Sequence, residues 1–275
     1  MRVGEEMSTG VRTGQDAAPV VVVTREGSLA SVVLNRPERM NALNKPMWRA
    51  IGAAFQELAA DAGIRCVVLR AAPDTAFSPG ADLGEFATER ADGVQAERYG
   101  QLMRETLSAV ALCPHPVVAM ISGNCVGGGL ALALNCDLRI CAHDSRFGVP
   151  INRLGITMPY SEIAVLVAQV GRPLALEILL EGRVFDAGEA LAKGLVSRVV
   201  DVARLEEETL AAARRISEGA PLANRWHKAF TRRLLSPAPL TDAEWRESFA
   251  CFDTADYREG LQAFLEKRKP IFRGC

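Results

Sequence analysis

The sequence predicts an α/β domain followed by a helical C-terminal region, and two observations carry that prediction. Short β-branched runs alternate with helical patterns up to about residue 172, after which the strand signal nearly vanishes and helical patterns continue. The second observation is local. Gly127-Gly128-Gly129 follows the apolar run Pro116 to Ile121 and the polar corner Ser122-Gly123-Asn124, and leads into the Ala/Leu-rich stretch Leu130 to Leu134. That order reads as a buried strand, a tight glycine turn and a helix N-terminus.

Strands are expected at 20–23, 31–34, 66–70, 117–121 and 138–141, each bounded by Gly, Pro, Asn or Asp. The clearest helix places Leu43, Met47, Ile51, Phe55 and Leu58 on one face, with Asn44 as N-cap and Pro46 in the first turn. Unequal gaps between strands do not suit a regular eight-fold barrel. Further helices are expected at 163–170, 173–180 (closed by Gly182) and 187–193, with a short strand within 195–200. From about 203 to 272 the chain reads as helices broken at Gly219-Ala220-Pro221 and Ser236 to Pro239. The aromatic residues Trp245, Phe249, Phe252, Phe264 and Phe272 give this block more apolar surface than an isolated helical pair would bury, which points to packing on another subunit.

At 275 residues and 49% hydrophobic content the chain can bury a large core. The domain reading is a flexible leader at 1–19, a core at 20–200 and the helical region at 201–275. Residues 1–19 have no apolar h-region and so do not form a signal peptide, and Met7 is a second candidate start. Lys+Arg total 32 against 33 Asp+Glu, which gives no electrostatic case for nucleic acid or an anionic membrane. The seven cysteines form no C-x-x-C pair and the three histidines lie far apart, so no metal site, reduced thiols and a cytoplasmic setting are expected. Val117 to Leu134 is interrupted by polar residues and glycines and fails as a membrane span.

A glycine turn with free N–H groups can hold a negatively charged oxygen, either a phosphate or the oxyanion of a thioester becoming an enolate. The dinucleotide reading fails on spacing, because the loop is G-x-x-x-G-G-G and Asp137 comes too soon. For the glycines alone, close helix-on-strand packing is the better account.

Several motifs then line up. Asn35-Arg36-Pro37 with Asn41-Ala42-Leu43-Asn44 is followed by Phe77-Ser78-Pro79-Gly80-Ala81-Asp82-Leu83 and by Pro116 to Leu134. Cys136-Asp137-Leu138, Phe147-Gly148, Ala187 to Val200 and Phe264 to Pro270 complete the set. Over nearly its whole length the chain resembles the crotonase (enoyl-CoA hydratase/isomerase) superfamily. The resemblance implies a spiral of β-β-α units with two roughly perpendicular sheets and a C-terminal helical trimerisation region, giving a homotrimer or dimer of trimers. It implies a coenzyme A thioester as ligand, with no cofactor beyond the CoA of the substrate. Carried over by motif, the backbone N–H groups of Ala81 and Gly128 form the oxyanion hole. Arg39, Met40, Ala42, Leu43, Gly80, Ala81, Asp82, Leu83, Gly127, Gly128 and Lys267 form the substrate-binding set. For the cluster Lys267-Arg268-Lys269, contact with CoA phosphates and a solvated helix end are equally open.

The departures matter as much. Family hydratases place one Glu two residues after the third glycine and another just after Phe-Gly-x-Pro; this chain has Ala131 and Ile151 there. Hydration needs a base for the water and an acid for the α-carbon, and neither residue can serve. Single-carboxylate isomerases use the second position, so Ile151 weakens that reading too. Glu162 is the candidate substitute, although a first-turn acid favoured by the helix dipole is the preferred account of it. Tyr160 is a weaker candidate, Asp82 reads as structural, Asn152 and Arg153 as either pocket or turn residues, and His115 as a solvated loop residue. His143-Asp144-Ser145 reads as a turn, since adjacent residues cannot adopt triad geometry. Lyase or isomerase chemistry on CoA thioesters in fatty acid metabolism follows, with isomerisation, decarboxylation or thioester hydrolysis favoured over hydration; the alternative is a catalytically inactive acyl-CoA-binding or scaffold homologue.

Overall fold

The computed structural model describes residues 9–10, 18–73 and 75–275. The expected flexible leader at 1–19, Met7 included, lies largely outside the described residues. Among them the strands are β1 (Thr9–Gly10), β2 (Val21–Glu26), β3 (Leu29–Leu34), β4 (Cys66–Ala71), β5 (Val117–Ile121), β6 (Asn124–Val126), β7 (Leu138–Ala142), β8 (Arg146–Gly148), β9 (Val184–Asp186) and β10 (Arg198–Val200). The helices are α1 (Lys45–Ala60), α2 (Phe86–Glu89), α3 (Gly93–Leu112), α4 (Gly128–Leu134), α5 (Tyr160–Glu181), α6 (Ala187–Ala192), α7 (Leu205–Glu218), α8 (Pro221–Arg233), α9 (Asp242–Glu247) and α10 (Ala255–Glu266).

Seven strands form one sheet in the order β1-β2-β3-β4-β5-β7-β10, and β6-β8-β9 form a second. The β2–β3 hairpin is antiparallel, and from β3 through β4, β5 and β7 to β10 the pairing is parallel. Because side chains alternate across a strand, Val67 and Leu69 of β4 with Val117, Ala119 and Ile121 of β5 face the larger core under α1, α3 and α4. Cys66, Val68, Val118 and Met120 point the other way, onto Leu205, Ala212 and Ala213 of α7. Burial on both faces explains why these strands read as continuous apolar runs rather than alternating ones.

Helix α1 follows its sequence pattern. The Asn44 side chain accepts from the Met47 N–H at 3.0 Å, and Met47, Ile51, Phe55 and Leu58 are buried. The expected helices at 163–170 and 173–180 join as α5, interrupted at Gly171 (φ 76°, ψ 160°) just ahead of Pro173. By length and composition α5 alone among the described residues could cross a bilayer; its break at Gly171 and the seating of Leu166, Ala175 and Ile178 in the core make it a helix of the domain.

Two sequence expectations are corrected. The glycine turn does not run straight from strand to helix, because three-residue β6 intervenes between β5 and α4; strands β6, β8 and β9 are too short to show a period. His115 is not a solvated loop residue. It is 1% exposed, its Nε2 lies 3.0 Å from the Leu58 carbonyl, and burial pushes its pKa below the ordinary value. Helix α8 causes this by closing over the loop, where Lys228 Nζ donates to the His115 carbonyl and to Asp137.

Candidate active site

The loop before α2 and the turn before α4 are brought together by β-type pairing. The Ser78 N–H donates to Asn124 O and the Val126 N–H donates to Ser78 O, while Leu43 and Ala81 form a parallel bridge. Two glycines permit the approach. Gly80 sits at φ +101°, and a Cβ there would lie 2.8 Å from Val126 O; a Cβ on Gly129 would lie 2.5 Å from Ser78 O. The Asn35-Arg36-Pro37 and Asn41 motifs buckle the same region. Buried Asn41, at φ 61°, accepts from the Arg36 N–H at 2.8 Å and donates to Ala76 O at 2.8 Å. Arg36 in turn donates to Ala42 O and, at 2.6 Å, to Asp82.

The result is a cavity of about 720 Å³. Arg39, Met40, Ala42, Gly80, Ala81, Asp82, Leu83, Gly127 and Gly128 of the expected binding set all line it. Leu43 is fully buried beneath. Lys267, the left-handed C-cap of α10, is exposed and is not among the lining residues. Among the described residues, neither the Ala81 N–H nor the Gly128 N–H has a hydrogen-bond acceptor. They lie close together: a Cβ placed on Gly128 would sit 3.8 Å from Ala81 N. Both residues are partly exposed on the cavity lining, so this pair of donors is available to an oxygen atom of a ligand.

The acids around the cavity have different environments. The Arg36 guanidinium holds the Asp82 carboxyl below its ordinary value, and the Gly84 N–H caps it at 3.0 Å. Glu38 also faces Arg36, at 3.6 Å. Glu162 is in the first turn of α5, as the sequence suggested, but it is 8% exposed and lines the cavity. Burial pushes its carboxyl up from 4.5 to about 7, against the opposing charge of Arg90. Tyr160 is 93% exposed, and exposed Asn152 donates to Leu180 O at 2.8 Å.

Sequence reasoning missed Trp48, Phe86, Arg90 and Met103 on the cavity wall. Trp48 is fully buried with its indole N–H unpartnered. Arg90 stacks its guanidinium 3.7 Å from the Tyr99 ring centroid and 5.0 Å from that of Phe86. No motif marks these residues; helix packing assembles them.

Residues 24–274 match the sequence profile of the family described as enoyl-CoA hydratase/isomerase. The chain belongs to the enoyl-CoA hydratase/isomerase family. The short-chain-enoyl-CoA hydratase of Clostridium acetobutylicum is 32% identical over 251 residues, covering 90% of this chain and 95% of the relative. A crotonyl-CoA hydratase of Syntrophomonas wolfei is 33% identical over 258 residues, 92% and 97% of the two chains. A crystal structure described as an enoyl-CoA hydratase/carnithine racemase from Magnetospirillum magneticum is 52% identical and superposes with a TM-score of 0.93, covering 94% of this chain and 97% of that one. The crotonase fold is thereby shown, and with it an enzyme acting on CoA thioesters. Within this family member, the two positions at which the resemblance places hydratase carboxylates are apolar. Ala131 is 2% exposed inside α4, and Ile151 lies on the cavity wall.

Proposed function

We propose that the cavity holds an acyl-CoA thioester with its carbonyl oxygen between the Ala81 and Gly128 N–H groups, and that Glu162 carries the proton in a one-carboxylate enolate reaction such as double-bond isomerisation. The observation that carries this is a lone buried carboxyl with a pKa near neutrality sharing a cavity with two unpaired backbone donors. In a 3-enoyl thioester the Glu162 carboxylate takes a proton from C2, and the electron pair moves onto the thioester oxygen. The two N–H groups stabilise that charge. Protonated Glu162 then returns the proton to C4 as the enolate collapses to the 2-enoyl thioester. A group with a pKa of about 7 is divided between base and acid forms at neutral pH, which suits both steps. Hydration would need a second carboxylate to activate water, and Ala131 and Ile151 supply none.

The C-terminal helices support assembly. Trp245, Phe249, Phe252, Phe264 and Leu265 are all more than half exposed, an apolar surface that a trimer or a dimer of trimers buries. The fatty-acid-metabolic role and the cytoplasmic setting belong to the same proposal.

The test incubates 3-enoyl-CoA with the protein in D₂O, follows formation of the conjugated product by ultraviolet absorbance, and follows deuterium uptake by mass spectrometry. Glu162→Gln is expected to lose about 10²–10⁴-fold in both. Binding without turnover or exchange would identify a non-catalytic acyl-CoA-binding protein. Rapid hydration of crotonyl-CoA unaffected by Glu162→Gln would overturn the one-carboxylate reading.

A further inference from the structure

We infer that Arg90 selects acyl groups that end in an anion, so that the acyl part of the substrate carries a terminal carboxylate; this rests on reading the cavity as an acyl-CoA site. Arg90 closes the short helix α2, and its guanidinium carbon lies over two rings, 3.7 Å from the Tyr99 centroid and 5.0 Å from that of Phe86, with Nη2 3.1 Å from Met103 Sδ. Stacking orients a guanidinium without neutralising it. Among the described residues no carboxylate lies within the 4.0 Å of an ion pair with Arg90, although the side chain is half-buried. Phe86 and Met103, which it touches, carry no charge, and the Glu85 carboxylate lies beyond Tyr99, accepting from its hydroxyl at 2.9 Å. A guanidinium held by stacking alone keeps N–H donors free for an incoming anion.

The two cavity acids other than Glu162 are paired. Asp82 and Glu38 face Arg36. Arg39, beside Asp82, also forms no ion pair among the described residues but is exposed, whereas Arg90 is half-buried and close enough to Glu162 to act on its charge. Glu162 forms no ion pair with Arg90 among the described residues. A thioester seated on the two N–H groups and reaching past Glu162 therefore brings the far end of its acyl chain toward Arg90, where a carboxylate gains charge-assisted hydrogen bonds.

The test compares two ligands of equal carbon number, trans-2-pentenedioyl-CoA and the uncharged trans-2-pentenoyl-CoA, on the full-length protein by isothermal titration calorimetry at neutral pH. The carboxylated thioester is expected to bind about tenfold to about a hundredfold more tightly. Arg90→Met should erase that preference, and Arg90→Lys should retain part of it. A thioester ending in a quaternary ammonium should bind weakest of the three. Equal affinities in the unsubstituted protein, or a preference that survives Arg90→Met, overturn the inference while leaving the acyl-CoA reading intact. If no thioester binds, both fall together. The comparison on the unsubstituted protein keeps the test decisive even where Arg90→Met does not fold.

Discussion

Glu162→Gln separates function from stability, because the same burial that equips the carboxyl to move protons makes its charged form costly. Its folded pKa, about 7, lies above the ordinary 4.5. The folded state therefore holds the proton more tightly than the unfolded chain does, and stability falls as pH rises from about 4.5 to about 7. A displacement of that size is worth about 3 kcal/mol, the charged form in the fold bearing the cost. Glutamine matches the protonated acid in shape and never ionises. The variant should thus equal the parent at pH 4 and exceed it by up to about 3 kcal/mol at pH 8, a gain that urea unfolding followed by circular dichroism at the two pH values resolves. Turnover should behave oppositely: in the parent, kcat/KM should rise through a pKa near 7 as the base forms, and the variant should lose about 10²–10⁴-fold. Equal stability gains at pH 4 and pH 8, or no gain at either, would refute the claim that burial raises this pKa.

Gly128→Pro removes one of the two unpaired donors and should lower turnover about 10²–10³-fold, checked by steady-state kinetics beside a far-ultraviolet spectrum showing that the fold persists. Gly129→Ala sets a Cβ 2.5 Å from Ser78 O; it should cost about 1–3 kcal/mol in chemical denaturation, and an unchanged midpoint would contradict the close packing of the two loops. Hydration of crotonyl-CoA should be low or absent in a direct absorbance assay, since Ala131 and Ile151 leave no second carboxylate; ordinary hydratase turnover would count against it. Full-length protein should run as a trimer or larger in light scattering, and truncation after residue 240 should give a monomer or aggregate that no longer binds CoA. A full-length monomer, or a truncated form of unchanged size and affinity, would reject a role for the aromatic surface.

The α/β class was legible because its signals are local. The apolar runs of β2 to β5 and β7, the Asn44 cap and the 47-51-55-58 stripe each depend on neighbours a few residues away, so pattern and propensity reach them. The glycine loops were legible for a related reason: Gly80 and Gly129 stand where any side chain would strike a backbone carbonyl, a constraint that leaves its mark in residue type. The sequence also specified what is missing, since Ala131 and Ile151 carry no titratable group in any fold. What it did not determine is environment. Whether Glu162 is a solvated first-turn acid or a buried one near neutrality, and whether His115 meets water or the Leu58 carbonyl, depends on helices that arrive from far along the chain. Arg90 shows the same limit: its stacking on Tyr99 and its place in the cavity exist only once α2, α3 and α5 have packed together. Residue type fixes what a group can do chemically, but its pKa and its partners follow from desolvation and distance, and those are properties of the assembled tertiary structure.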